Sequence, residues 1–210
     1  MAGKRTSAES RGTGGGISRV PRLKGGGATA AFAPGVRGGR AAHPPTTEKV
    51  IVKRIPKKER HLALLSAIAA TASKEIVISR GHRIEDVPEF PLVVTDGLES
   101  LNKTKQVEET LIHLGILSEI YRVKESRKVR AGKGKKRGRK MKQGVGPLLV
   151  INENKGIVEA ARNIPGVDIV TAKNLNVELL APGAHPGRLT IWTSGAIARL
   201  GDLQTKGGEE

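Results

Sequence analysis

The stretch Phe90-Pro91-Leu92-Val93-Val94-Thr95-Asp96-Gly97 decides the fold. A near-continuous apolar run of this length, closed by Asp-Gly, reads as a buried strand of a parallel sheet entering a turn. Downstream, Val107, Leu111 and Leu114 recur at helical spacing and stop at Gly115, a natural left-handed stop. Residues 117–122 read as another strand. After Pro147 the alternation resumes, with strand 148–151, helix 157–162, strand 167–171 and helix 175–180. The loop Pro182-Gly183-Ala184-His185-Pro186-Gly187 leads to strand 189–193, and Ser194 is placed to cap a last helix through Leu200. Upstream, Leu62, Leu65 and Ala69, widened by Leu64 and Ile68, predict a helix over 57–72. The short run 76–78 fits a strand or a helical turn equally well. Strands alternating with helices imply an α/β domain: a Rossmann-like, mostly parallel sheet with helices on both faces.

Charge divides the chain differently. Of 210 residues, 37 are Lys or Arg and 20 are Asp or Glu, a formal net charge of +17. Residues 1–47 hold eight Lys/Arg against the single acid Glu9, and residues 122–142 hold twelve against Glu125. The other 142 residues carry 17 bases and 18 acids, so a near-neutral body bears two cationic segments. Eleven of the 27 glycines fall in 1–47, where Pro21, Pro34, Pro44 and Pro45 also block helix. With few large apolar residues, this segment reads as a long Gly/Arg-rich, non-globular arm, disordered when free and ordered by a polyanion. The expected organisation is an arm over 1–47, an α/β body over 48–203 containing a basic insertion at 122–146, and a polar tail over 204–210.

Partner classes narrow accordingly. Twelve cations within 21 residues repel one another without counter-charge, which favours a bound nucleic acid over a merely solvated run. Neither basic segment interleaves its charges with Trp, Phe or Leu in the manner of a membrane-surface helix, and no run approaches the roughly 18 apolar residues of a membrane span. A soluble, unsecreted chain is expected. Phe32, Phe90, Tyr121 and Trp192 are the only aromatic residues, too few for base-stacking platforms, so backbone and shape recognition is the expected mode. Cysteine is absent, which excludes disulfide and thiolate chemistry.

An α/β sheet also invites an enzyme reading, which the motifs do not support. Gly12-Thr13-Gly14 opens a dinucleotide fingerprint, but Ile17 stands where its third glycine belongs and no strand precedes it. The Gly/Lys-rich run 133–140 lacks the phosphate-loop spacing. His43, His61, His82, His113 and His185 are scattered, and surface or packing roles suit them better than metal binding or catalysis. Asp96 alone occupies the place of an α/β enzyme's carboxylate, and a turn or helix-entry role beside Gly97 is favoured for it. Trp192 reads as a core or interface residue. No cofactor and no metal are expected. The alternatives to a structural RNA-binding protein are a nucleotide-using α/β enzyme and a non-ribosomal nucleic-acid packaging protein.

Specific motifs point further. The run from Ala2 to Ser10, Arg19-Val20-Pro21-Arg22, Gly25-Gly26-Gly27, Arg37-Gly38-Gly39-Arg40 and Ala42-His43-Pro44-Pro45 closely resemble the archaeal and eukaryotic branch of the L-four family of large-subunit ribosomal proteins. Lys57-Lys58-Glu59-Arg60, Ser79-Arg80-Gly81-His82, the basic run 127–140, Leu180-Ala181-Pro182-Gly183 and Pro186-Gly187-Arg188-Leu189 look like its archaeal members. The resemblance spans essentially the whole chain. It implies a non-enzymatic protein of the cytoplasmic ribosome, whose body sits on the outer surface of the large subunit and supports its assembly. The Gly/Arg-rich arm would thread large-subunit rRNA to the wall of the nascent-peptide exit tunnel, beside the ribosomal protein of the L-twenty-two family. The tunnel-facing part would fall within residues 12–27, with Arg19, Arg22 and Lys24 on phosphates. Family members carry a strand and a helix ahead of the Ala-Gly-Lys-Arg motif. Here Met1 directly precedes that motif, which implies a misassigned start or a fragment. The candidate RNA contacts are Lys4, Arg5, Arg11, Arg19, Arg22, Lys24, Arg37 and Arg40 in the arm. In the insertion they are Lys124, Arg127, Lys128, Arg130, Lys133, Lys135, Lys136, Arg137, Arg139, Lys140 and Lys142.

Overall fold

The structure, a computed structural model, describes residues 6–37 and 39–206 and falls into two units that divide between Arg54 and Ile55. Among the described residues of the first unit, regular structure is limited to two antiparallel strands of two residues each, β1 (Ala8–Glu9) and β2 (Arg22–Leu23). Among its described residues only Ala8, Ala30 and Ala31 are buried, so it contains almost no apolar interior.

The second unit is the α/β body. In chain order it comprises α1 (Lys57–Ala72), α2 (Lys74–Ser79), β3 (Leu92–Val94), α3 (Thr104–His113), α4 (Leu117–Glu125), β4 (Lys128–Val129), β5 (Met141–Lys142), β6 (Leu148–Ile151), α5 (Ile157–Ala161), β7 (Asp168–Thr171), α6 (Val177–Leu180), β8 (Thr190–Thr193) and α7 (Ser194–Lys206). The open 76–78 question resolves to helix, within α2. Four strands form a wholly parallel sheet in the order β3-β8-β6-β7.

Register explains the two cores. Leu92, Ile191, Leu149 and Ile169 align across the four strands, while Val93, Trp192, Val150 and Val170 make the neighbouring row. Successive side chains of a strand point to opposite faces, so the rows lie on opposite sides. The first row, Ile169 at its margin, joins Val77 of α2, Val107 and Leu111 of α3, Ile120 of α4 and Ile157 of α5 in one cluster. Trp192, Val150 and Val170 join Ala67 of α1, Leu180 of α6 and Ala196 of α7 in the other, which makes Trp192 a core residue. Helices therefore cover both faces. The expected buried strand at 90–95 is an edge strand, which leaves Val93 45% exposed.

Three local readings are corrected. Residues 117–122 are helical, because Ile116, Ile120 and Val123 repeat at helical spacing and pack inward as α4. Helix α1 occupies the expected residues but turns a different stripe inward: Leu64, Ala67, Ile68 and Thr71 face the body, and Leu62 stays 67% exposed. Ser194 is the first residue of α7 rather than its cap. Thr193 Oγ1 accepts from the backbone N–H of Ala196, and Asp96 Oδ1 accepts from that of Gly195 at 2.8 Å. The last helix also runs past Leu200, taking in residues 204–206 of the expected tail, while 207–210 lie outside the described residues. Gly115 stops α3 as expected, with φ of 73°, where a side chain would also strike the carbonyl of Asp86.

Candidate nucleic-acid interface

After α4 the chain runs out as a basic ribbon. Strands β4 and β5 pair antiparallel with Lys128 opposite Lys142 and Val129 opposite Met141. The pairing continues through Arg130, whose backbone N–H donates to the carbonyl of Lys140 at 2.8 Å. At the tip, residues Lys133–Arg137 form a 3-10 turn that Gly138 ends in the left-handed conformation, with φ of 83°. The root is closed by the N–H of Gly144 donating to Ser126 Oγ at 2.7 Å.

Ten of the candidate cations belong to this ribbon: Arg127, Lys128, Arg130, Lys133, Lys135, Lys136, Arg137, Arg139, Lys140 and Lys142. No acid lies between residues 126 and 142, and no carboxylate elsewhere among the described residues pairs with any of the ten. All are exposed except the half-buried Arg130, whose Nε donates to the carbonyl of Arg139. Directly opposed like charges such as Lys128 and Lys142 destabilise a β pair, so this ribbon carries its charge at a cost in isolation. Lys124 belongs instead to the last turn of α4.

The arm cations behave differently. Lys24 forms a 2.8 Å ion pair with Glu9, Arg11 donates to the carbonyl of Gly27, and Arg22 donates to the carbonyl of Ala28 and to Ser18. Arg40 bonds the carbonyls of Ala41 and Ala42 just beyond it. Arg19 and Arg37 are exposed, with no hydrogen bond or ion pair among the described residues. Lys4 and Arg5 lie outside the described residues.

The fully buried charges Glu119 and Arg188 each have an oppositely charged partner. Glu119 is fully buried on α4 and accepts from His82 Nδ1 (2.6 Å), the backbone N–H of Arg83 (3.0 Å), and Arg122 Nε (2.8 Å) and Nη2 (2.6 Å). Burial alone would push its carboxyl up, but the hydrogen bonds from Arg122, His82 and Arg83 outweigh burial and hold it down at about 2. Hydrogen bonding to Glu119 in turn raises Arg122 above an arginine's usual value. Arg188, 1% exposed, donates to the carbonyls of Gly146 and Leu179 and to the Asp168 carboxylate. Arg80 donates to the carbonyls of Pro182 and His185, and burial together with the neighbouring charges of Arg188 and Arg122 lowers its pKa. Sequence reasoning gave no role to Arg80, Arg188 or Glu119. The motifs containing Arg80 and Arg188 were the available signal, but the partners of Arg80 lie more than 100 residues along the chain.

At the opposite, carboxyl end of the strands, where an α/β enzyme binds its ligand, the acids have structural duties. Glu99, 1% exposed, accepts from the backbone N–H groups of Asn152 and Glu153 and from Thr193 Oγ1. Asp96 is held on Gly195 at the start of α7. No group of His, Cys, Asp and Glu among the described residues is arranged to hold a metal. His82 is a packing histidine, and His43, His113 and His185 are exposed. No helix among the described residues is long and apolar enough to cross a membrane.

Comparison with known proteins adds a second line. Residues 2–203 match the ribosomal protein L4/L1 family. The large ribosomal subunit protein uL4 of Methanosphaera stadtmanae is 52% identical over 206 residues, covering 98% of this chain and 79% of that protein. The protein of the same name from Saccharolobus islandicus is 51% identical over 207 residues, covering 98% and 77%.

Proposed function

The chain belongs to the ribosomal protein L4/L1 family, and from that membership we propose that it binds large-subunit rRNA, supports subunit assembly and lines part of the nascent-peptide exit tunnel. It is a structural protein of the large ribosomal subunit rather than an enzyme, and it works on the cytoplasmic ribosome. The observation that carries the RNA-binding reading is the ribbon: ten cations within residues 127–142, with no carboxylate among the described residues to neutralise them. Such a surface is completed by a polyanion, with arginines taking phosphate by paired N–H donors and lysines as mobile point charges. Arg11, Arg19, Arg22, Lys24, Arg37 and Arg40 line the same RNA from the Gly/Arg-rich arm, which reaches the tunnel beside the L-twenty-two family protein. Lys4 and Arg5 extend that list, and Lys124 joins from α4.

After nuclease-free lysis the chain should sediment with large-subunit rRNA and be released by ribonuclease. Trypsin should cut the free protein first at Arg11, Arg19, Arg22, Arg37 and Arg40, and spare those bonds in intact subunits. Sedimentation away from rRNA would refute the ribosomal reading, and equal cutting of the arm in both states would refute its burial in RNA.

A further inference from the structure

At the amino ends of the parallel strands, beside the root of the ribbon, lies a cleft of about 460 Å³ walled by Ser79, Arg80, His82, Arg122, Val145 and His185. Two guanidiniums line it, and their hydrogen bonds leave donors over. Of the five N–H donors of an arginine, Arg80 directs two to the carbonyls of His185 and Pro182. Arg122 uses Nε and both Nη2 hydrogens on Glu119 and on the carbonyl of Val145, 2.9 Å away. Three N–H groups of Arg80 and two of Arg122 are left without a partner among the described residues.

The charge is also unbalanced. Glu119 answers Arg122 and Asp168 answers Arg188, but no carboxylate among the described residues pairs with Arg80. A positive charge held partly buried among two other guanidiniums is strained until an anion joins it. Continuity with the ribbon indicates which anion. Arg122 bonds Val145, which directly follows the Gly144–Ser126 closure from which the ten-cation track departs.

We propose that this root cleft is a phosphodiester-binding site, in which Arg80 and Arg122 clamp one backbone phosphate of the RNA strand that runs out along the ribbon. The site fixes where the RNA enters, and the ribbon supplies less localised attraction beyond it. It rests on the RNA-binding reading of the ribbon but is a separate site on the folded body.

Two measurements test it on the full chain. Inorganic phosphate is titrated at constant ionic strength while the Nε–H resonances of the arginines are followed by NMR. Saturable shifts at Arg80 and Arg122, against linear drift at ribbon arginines such as Arg137, are expected. Equal linear drift at all of them overturns the site. In the second, Arg80→Gln, which keeps a donor without the charge, is assayed on deproteinised large-subunit rRNA. Affinity should fall roughly 3- to 10-fold and the log-log salt slope should flatten by about 1. Wild-type affinity and slope overturn the proposal. If Arg80→Gln does not fold, the wild-type phosphate titration decides alone. A companion variant, Lys135→Ala with Lys136→Ala and Arg137→Ala, separates the two readings. Loss of rRNA binding there with none in Arg80→Gln removes the cleft and keeps the ribbon, and the converse keeps the cleft and removes the ribbon.

Discussion

In the α/β body each buried carboxylate is met by several donors. Glu119 takes four hydrogen bonds from three residues and Glu99 takes three. Along the basic ribbon, ten cations share no carboxylate among the described residues. The two regions are contiguous in the chain, since α4 carries Glu119 and ends at Glu125 immediately before the ribbon. The body satisfies its buried carboxylates and closes its apolar core from within. The ribbon carries a charge that nothing among the described residues neutralises. Loss of core packing should therefore unfold the body, whereas loss of ribbon charge should change binding and leave stability alone.

The sharpest way to break this comparison lies in the core. Leu149 is fully buried in the row that crosses the sheet, and Leu149→Ala should cost about 2–5 kcal/mol in urea unfolding. A cost near zero would mean that the sheet is not the stabilising centre. Glu119 comes next. Its folded pKa of about 2 lies below the ordinary 4.5, so its contribution is fully present above pH 4.5 and is lost as pH falls toward 2. That shift corresponds to about 3 kcal/mol. Glu119→Gln should lose a similar amount at neutral pH and flatten the acid limb of the stability curve, and an unchanged limb would show that the pairing contributes nothing.

Smaller effects probe the ribbon and the surface. Arg127→Ala, Lys128→Ala and Arg130→Ala combined should weaken rRNA binding by roughly 10-fold or more while circular dichroism and unfolding stay as in the parent. Loss of helix in that variant would place part of the ribbon inside the cooperative body. Leu62→Ser, on the outward side of α1, should shift stability by no more than about 0.5 kcal/mol. A cost of several kcal/mol would show that the helix turns its other stripe inward.

Much of this architecture was legible from local pattern. The apolar runs around Leu92, Leu149, Ile169 and Ile191 announced parallel strands, and Gly115 marked a helix end. Residues 117–122 read as a strand because the segment is short and mixed in polarity, whereas helical spacing is what brings Ile116, Ile120 and Val123 onto one buried face. Glu119 on the same helix also points inward, where His82 and Arg122 compensate its charge, and nothing local in the sequence signals a buried carboxylate there. On α1, an Ala-rich sequence offers two adjacent apolar stripes, and only the sheet decides between Leu62 and Leu64. The ribbon cations were visible as a charge run. The Arg80 and Arg188 contacts were not, since Arg80 reaches residues more than 100 positions away and nothing local signals that.

The central claim is that the unmatched cations of the ribbon, together with those of the Gly/Arg-rich arm, meet RNA phosphates, and the salt dependence of binding tests it most directly. With about ten of their cations on phosphate, a plot of log affinity for deproteinised large-subunit rRNA against log salt concentration should have a slope on the order of −7 to −9. A nearly flat plot at unchanged fold would contradict the account, because the ribbon's charge would then be unmatched in the complex as well as in the free protein.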